Sequence, residues 1–362
     1  MGGRRRQYGY SEYRGRGGGR ARTVLLFIIA LLAVLLAAGV AFMAFMGQYL
    51  EYTENGVIVH WPWAQESPSL PPIPSDSIEV VTDPVGVEPT LEVDPTPTPT
   101  PEPQYASIGA VTVTAAQLRG GTAAQTVYAA GGGALVVEMK NMNGKLAWQS
   151  QASLAATLGT NADDDLTAQA VQALAQTTDL YLVARVTCFR DPILARNWVG
   201  PLMTRGGNVW HDTQGLGWTS PANQQTVDYL SALCQELADM GFDEILLDEA
   251  GYPNFGEVNV LATSDNRPED LTVPVSAFLE RISSEMAERG VCVSVFTDET
   301  LLPGEAVLTG LTADVLAQHA GRVWLDRNVS REQYSLLLDS AGFDDTDARI
   351  VSPGNAAGSW YQ

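Results

Sequence analysis

At 362 residues the chain is long enough for two domains, and 42 acidic residues outweigh 21 basic ones for a net charge of −21. That balance repels nucleic acid and anionic polymers and suits a neutral ligand. The three cysteines are widely spaced and the three histidines lie far apart, so neither a disulfide framework nor a zinc motif is present, and no cofactor is expected.

Residues 1–22 hold seven arginines and one acid, Glu12. Thr23 to Met46 then run 24 positions without a charge. At ~1.5 Å per residue such a helix crosses a hydrocarbon core of ~30 Å with some tilt. The run is longer than a secretory signal's apolar core, and Phe45-Met46-Gly47-Gln48 is a poor cleavage site. The expectation is an uncleaved transmembrane helix with the arginine tail in the cytoplasm and everything beyond Met46 outside the cell. Beyond Met46 stand 14 basic and 41 acidic residues, net −27.

Residues 47–104 read as a juxtamembrane segment followed by a spacer. Tyr49, Tyr52, Trp61 and Trp63 suit a membrane interface, and Asn55-Gly56 signals a tight turn before a short strand at Val57-Ile58-Val59. From Pro62 to Pro103 there are 12 prolines, ending in a Pro/Thr repeat. Such a stalk is extended and buries no core; at ~3.1 Å per residue it reaches ~120 Å.

Residues 105–362 carry the globular pattern. Strand-like runs at Ile108–Val113, Ala134–Met139, Leu180–Thr187, Glu244–Asp248, Val291–Phe296, Arg322–Leu325 and Arg349–Ser352 alternate with helical patterns near 115–130, 163–177, 222–240, 273–289, 311–319 and 330–341. The helix before Gly241 is the clearest: Ser220-Pro221 supplies a cap and a first-turn proline, and Val227, Leu230, Cys234 and Leu237 recur at helical spacing. Strand and helix in strict alternation imply parallel strands with right-handed crossovers. The fold expected is an α/β, (β/α)₈ TIM-type barrel. Seven strands are legible, so either one has escaped notice or the barrel lacks its last unit.

The candidate site lies where the fourth strand ends. Gly241 stops a helix, an apolar run follows, and Asp248-Glu249 close it. A barrel presents its chemistry at these C-terminal strand ends. Asp248 is the first catalytic candidate. Glu249 joins it only if the strand has already ended, since neighbours on a strand face opposite ways. Asp298 or Glu299 past the fifth strand and Glu138 at the end of the second are candidate partners, and Asp326 ends the sixth. Arg185 points either into the mouth, orienting Asp248, or into the packed layers, while Lys140 is expected on Glu138's face. The 35-residue loop from Cys188 to Ala222 holds Trp198, Trp210 and Trp218 with Arg190, Asp191, Arg205, His211 and Asp212. Loops this long are usually functional. Its indoles either stack on sugar rings or form a mini-core.

Five segments resemble a bacterial family regarded as glycoside hydrolases, with barrels related to those of α-amylase-type enzymes. They are Leu135 to Asn141 with Gly144, Leu182 to Pro192, Trp210-His211-Asp212, Leu216 to Pro221, and Gly241 to Pro253. The family usually has Asp-Tyr-x-Arg-Phe-Pro at the fourth strand's end; this chain has Asp248-Glu249-Ala250-Gly251-Tyr252-Pro253, losing the arginine and gaining an acid. Glu138 stands where the family often has aspartate. The resemblance implies a glycoside hydrolase; with the anchor and the acidic surface read above, the expectation is a membrane-anchored extracellular enzyme acting on a neutral poly- or oligosaccharide. In related barrels the fourth-strand acid is the nucleophile and the fifth-strand acid the general acid. Glu138, Lys140, Arg185, Asp191, Trp210, Trp218 and Tyr252 are the expected substrate contacts. The alternative is a catalytically silent sugar-binding barrel at the cell surface.

Overall fold

The computed structural model describes residues 50–53, 56–59, 108–298 and 306–362. The chain divides into two units, 1–96 and 97–362. In the first unit the described residues form an antiparallel hairpin, Leu50–Thr53 against Gly56–Val59, with Leu50 opposite Val59 and Thr53 opposite Gly56. Gly56, expected in the turn, is already paired with Thr53, and Asn55 lies outside the described residues. The expected span Thr23–Met46 and the Pro/Thr-rich stalk lie outside the described residues. Among the described residues no helix is long and apolar enough to cross a membrane.

The second unit is a closed eight-stranded barrel. Its strands are β1 (Gly109–Val113), β2 (Ala134–Lys140), β3 (Tyr181–Thr187), β4 (Glu244–Asp248), β5 (Cys292–Thr297), β6 (Arg322–Leu325), β7 (Ile350–Pro353) and β8 (Ser359–Tyr361). β1 to β7 pair in chain order and in parallel. All seven coincide with the runs read from the sequence, and helices fill the intervals. β8 is the strand that escaped notice. It is antiparallel to both β7 and β1, with Trp360 opposite Pro353 on one side and Ala110 on the other. Only five residues, 354–358, link β7 to β8. A parallel crossover needs a dozen or more, so the chain must turn back as a hairpin. Gly354 N–H donates to Ser359 O at 2.7 Å, and Gln362 N–H donates to Ile108 O at 3.0 Å, sealing the seam.

Side chains alternate across the strands. Ala110, Ala134, Val136, Val183, Leu246, Trp324 and Val351 fill the barrel's interior, while a larger apolar shell lies between sheet and helices. The helix Gln224–Met240 buries Val227, Leu230, Cys234 and Leu237 as its spacing predicts. Its cap is Asn223, whose Oδ1 accepts from Thr226 N–H at 3.0 Å, rather than Ser220. Gly241 ends it at φ +99°, where a Cβ would also meet Ala175 Cβ at 2.8 Å. Both facts demand glycine, and the chain can then turn directly into β4.

β4 begins and ends with an acid, and its two ends do different things. At the first, Glu244 is fully buried, pairs with Arg322, and accepts hydrogen bonds from Tyr181 OH (3.0 Å), Trp324 Nε1 (2.8 Å) and Ser294 Oγ. This polar plug closes the barrel floor, the end where barrels keep residues for stability. Asp248 stands at the other end.

Candidate active site

Asp248 is the last residue of β4, and its side chain rises into the barrel mouth. Cys188 N–H donates to Asp248 O at 2.7 Å and Phe189 N–H to Glu249 O at 3.2 Å, so the neighbouring chain grips the backbone past the strand's end. Arg185 Nε and Nη2 both donate to Asp248 Oδ2, at 3.0 and 2.8 Å. The guanidinium lies 4.6 Å from the centre of the Phe296 ring, which fixes its plane. Side-chain exposures of 30% for Arg185 and 16% for Asp248 put the pair at the mouth rather than in the packed layers. Arg185 therefore orients Asp248.

Glu249 leaves the strand at φ +50°, a left-handed conformation rare for a residue with a side chain. The kink takes Glu249 out of the strand's alternation and turns it onto the cavity that Asp248 faces. Backbone conformations of this kind cluster at functional sites. Asp248 Oδ1 accepts the Glu249 N–H at 3.0 Å, closing the turn.

The two acids share an open cavity at the mouth with Tyr252, Asn254, Phe296 and Asp298. Burial, and next the negative charge of Asp248, push Glu249 up to about 8; Arg190 and Arg185 pull the other way, and Asp298 adds to the rise. At neutral pH Glu249 therefore carries a proton beside the arginine-paired Asp248. Glu138, opposite Arg185 in the β2–β3 register, is also raised by burial, with Arg185 opposing and Asp248 adding to the shift. The rim thus gathers Glu138, Arg185, Asp248, Glu249 and Asp298. Glu299 lies outside the described residues. Asp326 at the end of β6 accepts the Arg327 N–H at 2.7 Å and does not line this cavity.

Several expected substrate contacts sit elsewhere. The β2–β3 register shifts between Glu138 and Lys140, so Lys140 pairs with Val186 and leaves Glu138's face. Lys140 and Asp191 are both fully buried and meet at 2.8 Å. Lys140 Nζ also donates to Thr187 O at 2.7 Å. Asp191 Oδ1 caps the short helix Pro192–Arg196 through the N–H groups of Ile193 and Leu194, each at 2.9 Å. A Cβ on Gly144 would fall 2.3 Å from Asp191 Oδ1, which explains the glycine. The pair locks the loop after β3 to the barrel and does not line the cavity that Asp248 and Glu249 share.

Trp210 and Trp218 are likewise buried, 2% and 1% exposed, and pack edge to face at 6.5 Å. Trp210 Nε1 donates to Glu257 O and Trp218 Nε1 to Asp212 Oδ2, both at 3.1 Å. They are the loop's mini-core. Trp198 is the exposed indole of the loop, 68% accessible at φ +62°. Tyr252 lines the cavity, but its OH is held by Ser220 and by Asn266 O at 3.1 Å, so it serves as wall. Sequence reading passed over Phe296, whose signal was its place two residues before Asp298 on the same strand face. It also counted Arg190 only among the loop's charged groups facing a sugar, whereas Arg190 Nη1 lies 3.5 Å from Glu249 Oε1.

Among the described residues no cluster of His, Cys, Asp or Glu could hold a metal ion. Cys188 and Cys234 are buried free thiols and Cys292 is half-buried. Burial pushes Cys234 and Cys292 up to about 12, which makes them unreactive.

Comparison with known proteins adds the following. The chain is similar in structure to a hypothetical protein from Ruminiclostridium thermocellum, at 20% identity over 51% of this chain and 96% of that one, TM-score 0.45. It is similar to the PgaB (BpsB) glycoside hydrolase domain from Bordetella bronchiseptica, at 12% identity over 67% and 82%, TM-score 0.47. A chitinase from Chromobacterium violaceum matches at 15% identity over 68% of each chain, TM-score 0.36. No curated protein matches in sequence. Residues 112–301 match the family described as "Putative glycosyl hydrolase domain", a stretch that contains Glu138, Arg185, Asp248, Glu249 and Asp298. The match covers more than half of the chain, which therefore belongs to that family.

Proposed function

We propose that this member of the glycosyl hydrolase family cleaves glycosidic bonds at the barrel mouth, with Glu249 as general acid and Asp248 as the charged partner. The observation that carries the reading is the contrast between adjacent carboxyls. Asp248 takes two hydrogen bonds from Arg185, whereas burial and the Asp248 charge hold the proton on Glu249 to about pH 8. A carboxyl that keeps its proton beside one clamped by an arginine suits acid-assisted glycoside cleavage. Glu249 gives its proton to the departing glycosidic oxygen, Asp248 faces the positive charge that develops on the sugar ring, and a water molecule then adds to the anomeric carbon while its proton returns to the Glu249 carboxylate. Phe296 and Tyr252 supply apolar wall to the cavity and Asp298 is a further carboxyl lining it, while Glu138 stands opposite Arg185 on the neighbouring strand.

The substrate we propose is a neutral poly- or oligosaccharide, in keeping with an acidic chain whose cleft is rich in carboxyls. We place the barrel outside the cell, held by Thr23–Met46 and the stalk, on the strength of the arginine tail beside an uncharged run. Protease added to intact cells should then digest residues 47–362; full protection of the barrel would overturn that topology.

The activity itself is tested by incubating the purified chain with a panel of neutral oligosaccharides and following new reducing ends. Cleavage that is abolished in Asp248→Asn supports the reading. Binding without cleavage would make the barrel a sugar-binding module, and neither would remove the carbohydrate assignment.

A further inference from the structure

Arg190, in the loop after β3, reaches the Glu249 carboxyl with its side chain. Arg190 is 5% exposed, yet its guanidinium serves carboxylates from two different loops. Nε and Nη2 stand 2.8 and 2.7 Å from Asp212 Oδ2, and Nη1 stands 3.5 Å from Glu249 Oε1. The group also lies over the Phe255 ring at 5.3 Å, and Nη1 approaches Met142 Sδ at 3.8 Å.

Asp212 is itself fixed. Its Oδ1 accepts the N–H groups of Gln214 (2.8 Å) and Leu216 (3.1 Å), and its Oδ2 accepts Trp218 Nε1. Burial works against its charge, but these bonds and Arg190 together bring it below the usual carboxylate range. Asp212 is thus a permanent anion on one side of Arg190, while Glu249 on the other gains and loses its proton.

We propose that Arg190 is a positioning residue for Glu249, its single positive charge divided between the fixed anion Asp212 and the acid at the cleft. The inference rests on Glu249 being the general acid. While Glu249 is protonated, Arg190 is matched by Asp212 alone, and Glu249 Oε1 is held by a long, neutral contact. When the proton passes to the glycosidic oxygen, the C–O bond breaks with its electron pair on that oxygen. The new carboxylate charge then appears beside Nη1. Arg190 is the cation placed to receive it without moving, because the Nε bond to Asp212 Oδ2 and the Phe255 ring already fix its plane. The other charged groups facing Glu249 are Asp248, Asp298 and Arg185.

The arrangement predicts opposite shifts from two variants. Asp212→Asn keeps the Oδ1 acceptor, removes the competing anion and sets an amide NH2 where Oδ2 accepted from Arg190 and Trp218, so the Arg190 charge turns toward Glu249, which should ionise about one pH unit lower. Arg190→Met removes the only cation within 4 Å of Glu249 among the described residues, and ionisation should move up by about one unit. Arg190→Lys keeps the charge without the fork and should fall between Arg190→Met and the wild type.

Two readouts locate the ionisation of Glu249. One is the alkaline limb of kcat/KM. The other needs no activity: the difference in melting temperature between each protein and the same protein carrying Glu249→Gln. Folded Glu249 keeps its proton to about 8, whereas the unfolded chain releases it near the ordinary glutamate value of about 4.3. Between these the folded state binds more protons, so proteins with Glu249 lose stability relative to their Glu249→Gln counterparts as pH rises, and the loss levels off above the folded value. The pH of levelling should drop in Asp212→Asn and rise in Arg190→Met. If Arg190→Met does not fold, the drop in Asp212→Asn decides alone. An unchanged levelling point, or a shift in the same direction in both variants, overturns the proposal. The opposite shifts in stability with no glycan cleaved would uphold the coupling and reject the hydrolase reading.

Discussion

Replacing Asp248 by Asn should lower turnover on a cleaved glycan by ~10³-fold or more, with little change in KM. Asparagine keeps the shape of the side chain and loses the charge that faces the developing cation, an interaction made chiefly in the transition state. The structural cost should be small. Arg185 is 30% exposed and rests on Phe296, so it turns to water when its partner is neutralised. A pair this open contributes about 1 kcal/mol or less to stability. Kinetics and melting on the one variant separate the roles: a lower melting temperature with unchanged turnover would make Asp248 a structural partner of Arg185.

The second large effect concerns stability alone. Lys140 and Asp191 are fully buried and 2.8 Å apart, so removing either leaves a charge in the interior without its partner. Lys140→Met or Asp191→Asn should each cost ~3–5 kcal/mol in denaturant unfolding. The double variant should recover part of that loss, because two neutral side chains leave no stranded charge. Since the pair does not line the Asp248–Glu249 cavity, KM of the folded fraction should stay at the wild-type value. A cost below ~0.5 kcal/mol would return both residues to the list of candidate ligands.

The contrast between these two ion pairs shows what the sequence reveals and what it conceals. The barrel was legible because each parallel strand is a short apolar run between helical repeats, and those two periods differ enough to be told apart. β8 was not, because three residues, Ser359 to Tyr361, have no pattern and no helix precedes them. Asp248 was legible as the polar residue that ends an apolar strand. Lys140 was assigned to the wrong face because one irregular residue before it reverses the alternation, and nothing in Glu-Met-Lys announces a bulge. Trp210 and Trp218 could be placed only once Glu257 O and Asp212 were seen to satisfy their indole N–H groups. Glu249 turns into the cleft through a positive φ that an ordinary glutamate rarely adopts; the small residues Ala250 and Gly251 after it were the available hint. Arg190 joins two loops that are distant in sequence, and only the folded chain brings its partners together.

The central claim, that Glu249 delivers the proton, is tested most directly by the leaving group. Rates of Glu249→Gln should be compared with wild type on two glycosides of the same sugar. One should carry an aryl leaving group that departs without protonation and the other an ordinary sugar alcohol. The account predicts a loss of ~10²–10⁴-fold on the sugar alcohol and a far smaller loss on the aryl glycoside, because glutamine withholds a proton that only the first substrate needs. Equal losses on both substrates would contradict it and place the acid elsewhere in the cleft, at Asp298 or Glu138.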